Sequence, residues 1–293
     1  MSDHPSPPSP PLTPVLFVSH GAPTFALEPG KLGAKLQALG QALFTSSSSS
    51  SSPSPPRAIL VISAHWQTSK PSVPTISTHR NPPTIYDFGG FDEALYQVTY
   101  PAAGPSSQLV QRTAECLLQA GFKNVEFDID RGFDHGVWVP LLHLFPQANV
   151  PVYQVSMPMD LTPSRAVELG KSLAPLREEG VLIMGSGGST HNLFEAMRTP
   201  PDAPTSSKAI EFAKWVRACI LANDVDSLVE FSTLAPHAKW AHPTSEHYLP
   251  LLVAMGAATS GLSCNDEKVQ LMEGGFTYGV MAMDAYLWGG PEV

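Results

Sequence analysis

The sequence predicts an α/β fold, a single domain whose mostly parallel or mixed central sheet carries helices on both faces. Three observations lead there. Short β-branched, apolar runs such as "VLFVS" and "AILVIS" alternate with longer segments whose leucines recur at helical spacing. The runs are apolar at consecutive positions, the pattern of strands buried on both sides. Several of them stop at Gly, Ser and His, at the strand ends where sheets of this class build their sites.

The elements follow in order. Residues 1–13, "MSDHPSPPSPPLT", are rich in Pro and Ser and read as a disordered tail, which leaves 14–293 as the folded domain. Val15 to Ser19 is a buried strand, and Leu32, Leu36, Leu39 and Leu43 mark the first helix. Residues 45–56 are a Ser tract running into prolines, which cannot bury apolar surface and reads as a loop insertion. Ala58 to Ser63 is the second strand. Ser106 or Ser107 caps a helix carrying Leu109, Val110, Leu117 and Leu118, with Gly121 as its stop. Val125 to Ile129 and Val150 to Val155 are short strands. Thr162 caps the next helix, with Pro163 in its first position. "GVLIMGSGG" is a strand ending at Gly185, and Ser207 to Leu221 is a helix with Ile210, Ala213, Val216 and Ile220 on one face. "TSEHYLPLLVAMGAA" opens a helix capped by Ser245 or Thr244, which places His247 just inside it. The C-terminal "FTYGVMAMDAYLWGG" is strand-like.

Composition narrows the function classes. The chain has 293 residues, enough for a large core, and a net charge of -9 without a Lys/Arg cluster, which argues against nucleic acid as a partner. Cys116, Cys219 and Cys264 stand far apart, so they make neither a thiolate zinc site nor a disulfide framework and fit a reducing compartment. Cys116 and Cys219 read as buried thiols inside helices. The tail has neither an apolar signal core nor an Arg-rich amphipathic face, and no apolar run is long enough for a membrane span. The expectation is a cytoplasmic monomer or small homo-oligomer with no membrane contact.

The histidines carry the chemistry. His20, His65 and His191 each follow a predicted strand, the last through the Gly/Ser-rich turn "GSGGST". Parallel strands would put all three imidazoles at one sheet edge. His247, and His135 in "DRGFDHGVWVPL", lie at loop-to-helix junctions. Neutral imidazole is the commonest protein ligand for zinc and a good one for Fe(II), so three or four converging would make a mononuclear site with open positions. His4, His79, His143 and His237 read as structural or surface residues, and His242 as a residue that could orient a ligand. "GSGGST" matches neither a dinucleotide loop nor GxSxG. A serine nucleophile at Ser186 or Ser189 beside His191 lacks an identifiable orienting acid.

"SHGAPT", "SAHW", "DHGVWVPL", "GSGGSTHN" and "HPTSEHYLPL", in this order, resemble the class III extradiol ring-cleavage dioxygenases, in particular the DOPA 4,5-dioxygenase-like branch. The resemblance runs from about Val15 to the C-terminus; the tail and the Ser tract are extra. It implies a LigB-like α/β fold and a single metal, Fe(II) for catalysis, with zinc often present on isolation. It also implies a small-molecule catechol, DOPA or a relative, and O2 as substrates. By the same resemblance His20, His65 and His247 hold the metal, His191 is an additional ligand or an acid/base residue, and His135 lines the substrate site. Better known class III enzymes have a carboxylate as third ligand. Here Glu246 and His247 are neighbours, and neighbours near a helix start point roughly 100° apart, so one of them faces the metal; His247 is the expectation. Trp66, Tyr248 and Tyr278 are candidates for walling the ring. A zinc-dependent hydrolase using the same histidines is the alternative.

Overall fold

The structure, a computed structural model, describes residues 12–45, 55–260 and 268–292. The tail up to residue 11, positions 46–54 of the Ser tract, His4 and Cys264 lie outside the described residues.

The sheet is built from β1 (Val15–Ser19), β2 (Ala58–Ser63), β3 (Val152–Gln154), β4 (Val181–Gly187), β5 (Val269–Met272) and β6 (Ala285–Trp288), in the order β3-β2-β4-β1-β6-β5. The first four strands are parallel; β6 runs antiparallel to β1, and β5 antiparallel to β6. The sheet is therefore mixed, with a parallel core. Successive side chains of a strand point to opposite faces, so the consecutive apolar residues of β1 feed two cores. Val15 and Phe17 join one cluster and Leu16 and Val18 the other.

Helices α1 (Gly30–Thr45) and α3 (His135–Leu144) cover one face, where Leu32, Leu36, Leu39, Leu43, Val137 and Leu141 pack on Leu16, Ile59 and Leu182. The other face carries α2 (Ser107–Gln119), α4 (Pro163–Leu173), α5 (Ser207–Leu221) and α6 (Leu249–Thr259). Residues 249–258 of α6 are all buried, as an all-apolar helix must be, between α4 and the sheet. Ser106 caps α2 by accepting from Leu109 N–H, and Thr162 caps α4 by accepting from Arg165 N–H, as the sequence predicts.

Several expectations need correction. Thr13 belongs to the fold: it is buried and its N–H donates to Arg177 O at 3.2 Å. Pro56 is likewise buried. The predicted strand at 125–129 is Glu126–Asp128, which pairs with Thr75–Ser77 in a separate two-stranded sheet. β4 runs on to Gly187 because its last residues still pair with β1 and β2. α6 starts at Leu249, so His247 lies in the turn before it. That turn is closed by Tyr248 and Leu249 N–H groups on Ser245 O, and Pro250 sits in the first turn, where its missing N–H costs nothing.

Candidate active site and metal centre

β1, β2 and β4 end level with one another, since Ser19 pairs with Gly187 and Ser63 with Ser186. His20 follows β1 directly, and its N–H donates to Gly187 O at 3.0 Å. Gly21, at φ +64°, turns the chain at once, a conformation that favours glycine. His65 is fixed at both backbone ends: its N–H donates to Ser63 Oγ at 3.2 Å, and its carbonyl accepts from Arg131 Nη2 at 3.2 Å. Ser63 and Arg131 both bond the buried Asp134 carboxylate at 2.6 Å. The turn carrying His247 lies against β4. Gly188 N–H donates to His247 O at 2.9 Å, and a Cβ on Gly187 would overlap that carbonyl.

These segments bring three imidazole nitrogens together. His65 Nε2 lies 3.1 Å from His20 Nε2 and 3.2 Å from His247 Nε2. The partners on the far side of each ring set the tautomers. His65 Nδ1 faces the Asp87 carboxylate at 3.3 Å, and His247 Nδ1 faces the Glu246 carboxylate at 2.9 Å. An ionised carboxylate only accepts, so both Nδ1 atoms carry the proton. His20 Nδ1 is 3.0 Å from Ser186 Oγ, whose hydroxyl proton is already donated to Gly136 O. His20 Nδ1 must therefore donate as well. All three Nε2 atoms are left as lone pairs aimed at one another. Protonation does not relieve this: burial first, then the neighbouring imidazoles, hold His20 and His247 well below the usual histidine range. His65 is pushed down to about 3, by burial first and then by His135, against the pull of Asp87. Converging neutral lone pairs without a shared proton are the donor set of a cation, and three imidazoles suit Zn or Fe(II) alike.

In front of the trio lies a cavity of about 570 Å³ lined by His65, His247, His135 and His191. His135 opens α3, and both its N–H and its Nδ1 bond Asp87 Oδ1 at 2.9 Å. Asp87 thus bridges His65 and His135. Burial alone would raise this carboxyl, but the side-chain and backbone hydrogen bonds from His135, with the neighbouring imidazoles of His135 and His65, hold it at about 2. His191 is anchored by its N–H on Ala241 O, and its ring stacks flat on His247, with centroids 3.4 Å apart and 3° between planes. Burial pushes its pKa down to about 4, against the pull of Glu246.

The chain matches the model of the catalytic LigB subunit of aromatic ring-opening dioxygenase over residues 14–281. It belongs to the LigB family. Among curated relatives it is 39% identical to the 4,5-DOPA dioxygenase extradiol of Beta vulgaris, over 92% of this chain and 94% of the relative. It is 36% identical to the protein of that name from Escherichia coli K12, over 83% and 84%. The crystal structure of an uncharacterized Escherichia coli K12 protein superposes with a TM-score of 0.70 at 28% identity, covering 94% of this chain and 99% of that one. The protein is an extradiol ring-cleavage dioxygenase, and the hydrolase alternative is not favoured. LigB dioxygenases are non-haem metal enzymes, and the three converging imidazoles are a donor set of that kind. Among the described residues no helix is long and apolar enough to cross a membrane.

Within this LigB site the strand-end reading places the histidines together, in two adjoining groups. His20, His65 and His247 converge; His135 and His191 line the cavity beside them. His191 lies beside the trio with its ring stacked on that of His247, and its ligand-type nitrogen groups with Glu246 and His247, all within 4.8 Å of one another. Glu246 does not replace His247; it holds the far side of that ring. Of the aromatic candidates Tyr278 lines the cavity. Tyr248 is fully buried against Phe231, its hydroxyl donating to Leu228 O, and Trp66 lies buried under Arg131. His242 Nε2 donates to Ser189 O at 3.1 Å, so that ring is held there and not on an Nδ1 of the trio. His143 bonds Phe25 O, His237 pairs with Glu211, and His79 accepts from Asn81 N–H, all structural. Ser186 and Ser189 are buried, the Ser186 hydroxyl donating to Gly136 O and the Ser189 hydroxyl facing Ser19 Oγ at 3.4 Å, and neither hydroxyl faces His191. Sequence reasoning missed Asp87. Its only signal is a lone acid between aromatics ahead of two glycines, "IYDFGGF", in a stretch without periodicity.

Proposed function

We propose that this dioxygenase cleaves a catechol of the DOPA type beside its diol, using Fe(II) held by His20, His65 and His247. The supporting observation is the convergence of three Nε2 lone pairs whose Nδ1 protons are committed to Ser186, Asp87 and Glu246. The relatives named for DOPA supply the substrate type. When bound, the iron supplies Lewis acidity that lowers the catechol hydroxyl pKa and the redox coupling between ring and dioxygen.

The chain's own groups do the rest. His191, with its pKa at about 4, is neutral at physiological pH and so can take a proton from the incoming catechol. His135 donates through Nδ1 to Asp87, which leaves Nε2, on a ring lining the cavity, as an acceptor for a substrate hydroxyl. Phe88 and Phe91 give the ring an apolar wall and limit water around it. The neutral trio leaves the centre cationic once loaded, which favours an anionic catecholate.

The test is anaerobic reconstitution of the metal-free protein with Fe(II), then addition of L-DOPA, caffeate or 4-methylcatechol, then oxygen. The expected outcome is a yellow ring-fission product with matching O2 uptake, and none with zinc. Failure with every catechol, together with hydrolytic turnover by the zinc form, refutes the reading.

A further inference from the structure

The cavity is larger than the ring it is proposed to hold. An apolar void of about 150 Å³ already accommodates benzene, whereas this cavity measures about 570 Å³. The surplus volume belongs to whatever the ring carries. The catechol diol must point toward the histidines, so a substituent on the opposite side of the ring faces the outer wall.

That wall is apolar. Leu193 and Met197 line the cavity while remaining 54% and 80% exposed, so they form its rim. Leu193 opens and Met197 ends a short helix, Leu193–Ala196, that begins two residues after His191 and is pinned by Asn192, whose side chain donates to Trp240 O and accepts from Glu195 N–H. Phe88 and Phe91 stand among the other lining residues, with Tyr278, whose backbone sits at φ +52°, a conformation unusual for a residue with a side chain. Among the described residues lining the cavity there is no lysine or arginine, and the one acid, Asp87, is already engaged by His65 and His135.

We propose, resting on the dioxygenase reading above, that this cavity selects catechols bearing an uncharged, apolar para substituent over catechols whose ring bears a carboxylate. A carboxylate set among Leu193, Met197, Phe88 and Phe91 gives up part of its hydration at this open rim and meets no cation among the lining residues. An alkyl chain covers apolar rim surface that otherwise faces solvent. Full burial of one methylene corresponds to about a fourfold gain in affinity, the ceiling for each methylene added at this rim.

The test is a substrate series, 4-methylcatechol, 4-propylcatechol, L-DOPA and protocatechuate, followed by kcat/KM on the iron enzyme. Dissociation constants come from calorimetry on the anaerobic zinc-loaded protein. The expected order is 4-propylcatechol above 4-methylcatechol by roughly tenfold, with protocatechuate lower again by roughly tenfold or more and L-DOPA between the extremes. Met197→Lys, at an exposed position, should narrow the ratio of 4-propylcatechol to protocatechuate by about tenfold, and Leu193→Lys should shift it the same way. Protocatechuate bound and turned over as well as 4-propylcatechol by the unmodified protein would overturn the proposal. So would an unchanged ratio in both lysine variants. If no catechol is cleaved, the dioxygenase reading fails, and the binding series still decides the preference.

Discussion

Replacing Asp87 by Asn tests whether the far-side partners set the metal centre. Asp87 Oδ1 accepts two donors from His135, its N–H and Nδ1–H, both at 2.9 Å, while Oδ2 faces His65 Nδ1 at 3.3 Å. An asparagine has one oxygen for these three donors. Keeping the two shorter bonds sends the amide NH2 toward His65 Nδ1, donor against donor. His65 escapes by moving its proton to Nε2, the atom that faces His20 and His247. A protonated nitrogen cannot ligate, so metal affinity should fall 10- to 100-fold, about 1.4–2.7 kcal/mol. The assay is chelator competition for Zn(II) or Co(II), with circular dichroism to verify folding. Asp87→Ala makes the sharper comparison. It removes the carboxylate but opposes no donor to His65, whose side chain is 22% exposed and can hydrogen-bond water instead. Affinity should therefore order wild type, then Ala, then Asn. An Asn variant within about twofold of wild type, or one that binds metal better than the Ala variant, refutes the tautomer argument.

The other expectations are simpler. His20→Ala, His65→Ala and His247→Ala should each lose metal by elemental analysis. His135→Ala and His191→Ala should keep it and lose about 10²- to 10⁴-fold in kcat; a metal-free His191 variant would restore that residue as a ligand. Gly187→Ala should lower stability by about 1–3 kcal/mol in urea denaturation and weaken metal binding, because its Cβ overlaps His247 O; an unperturbed variant would mean the turn can yield. Acid should destabilise the metal-free protein. The unfolded chain protonates its histidines near 6.5, while the fold keeps His65 neutral to about 3 and His191 and His242 to about 4. The unfolded state therefore binds more protons between these limits, and stability falls with pH by about 1.4 kcal/mol per unit per histidine. A melting temperature flat from pH 6.5 to 5 would show that the fold accepts these protons.

What could be read in the sequence was whatever short-range pattern dictates. β1, β2 and α1 declare themselves because burial on both faces, or on one stripe, repeats within a few residues. The strand at Glu126–Asp128 was visible too, but its partner was not, since an apolar run does not say which sheet it joins. Pairing with Thr75–Ser77 depends on register across some fifty residues, as the Thr75–Glu126 pair shows. The segment from Thr78 to Ser106 carries little regular structure and no period, and Asp87 was hidden there.

The same division runs through the site. The ligand-type residues were legible because a parallel sheet places its C-terminal strand ends in one row, so His20 and His65 needed no tertiary information beyond strand direction. Convergence of the Nε2 atoms required something else: each ring's Nδ1 had to be held, and each holder comes from a different place. Ser186 lies on β4, Asp87 in the irregular segment before α2, and Glu246 in the turn before α6. Each of these residues has an ordinary reading by itself, as a strand-end serine, a loop acid and a helix-flanking acid. Their common effect is to spend the Nδ1 protons, so that the buried imidazoles of His20 and His247 and the half-buried one of His65 cannot relieve one another by sharing a proton. A cation then becomes the group best suited to the point between them, and the burial of His20 and His247 makes the suitability stronger, because burial disfavours the protonated rings that would otherwise satisfy those lone pairs.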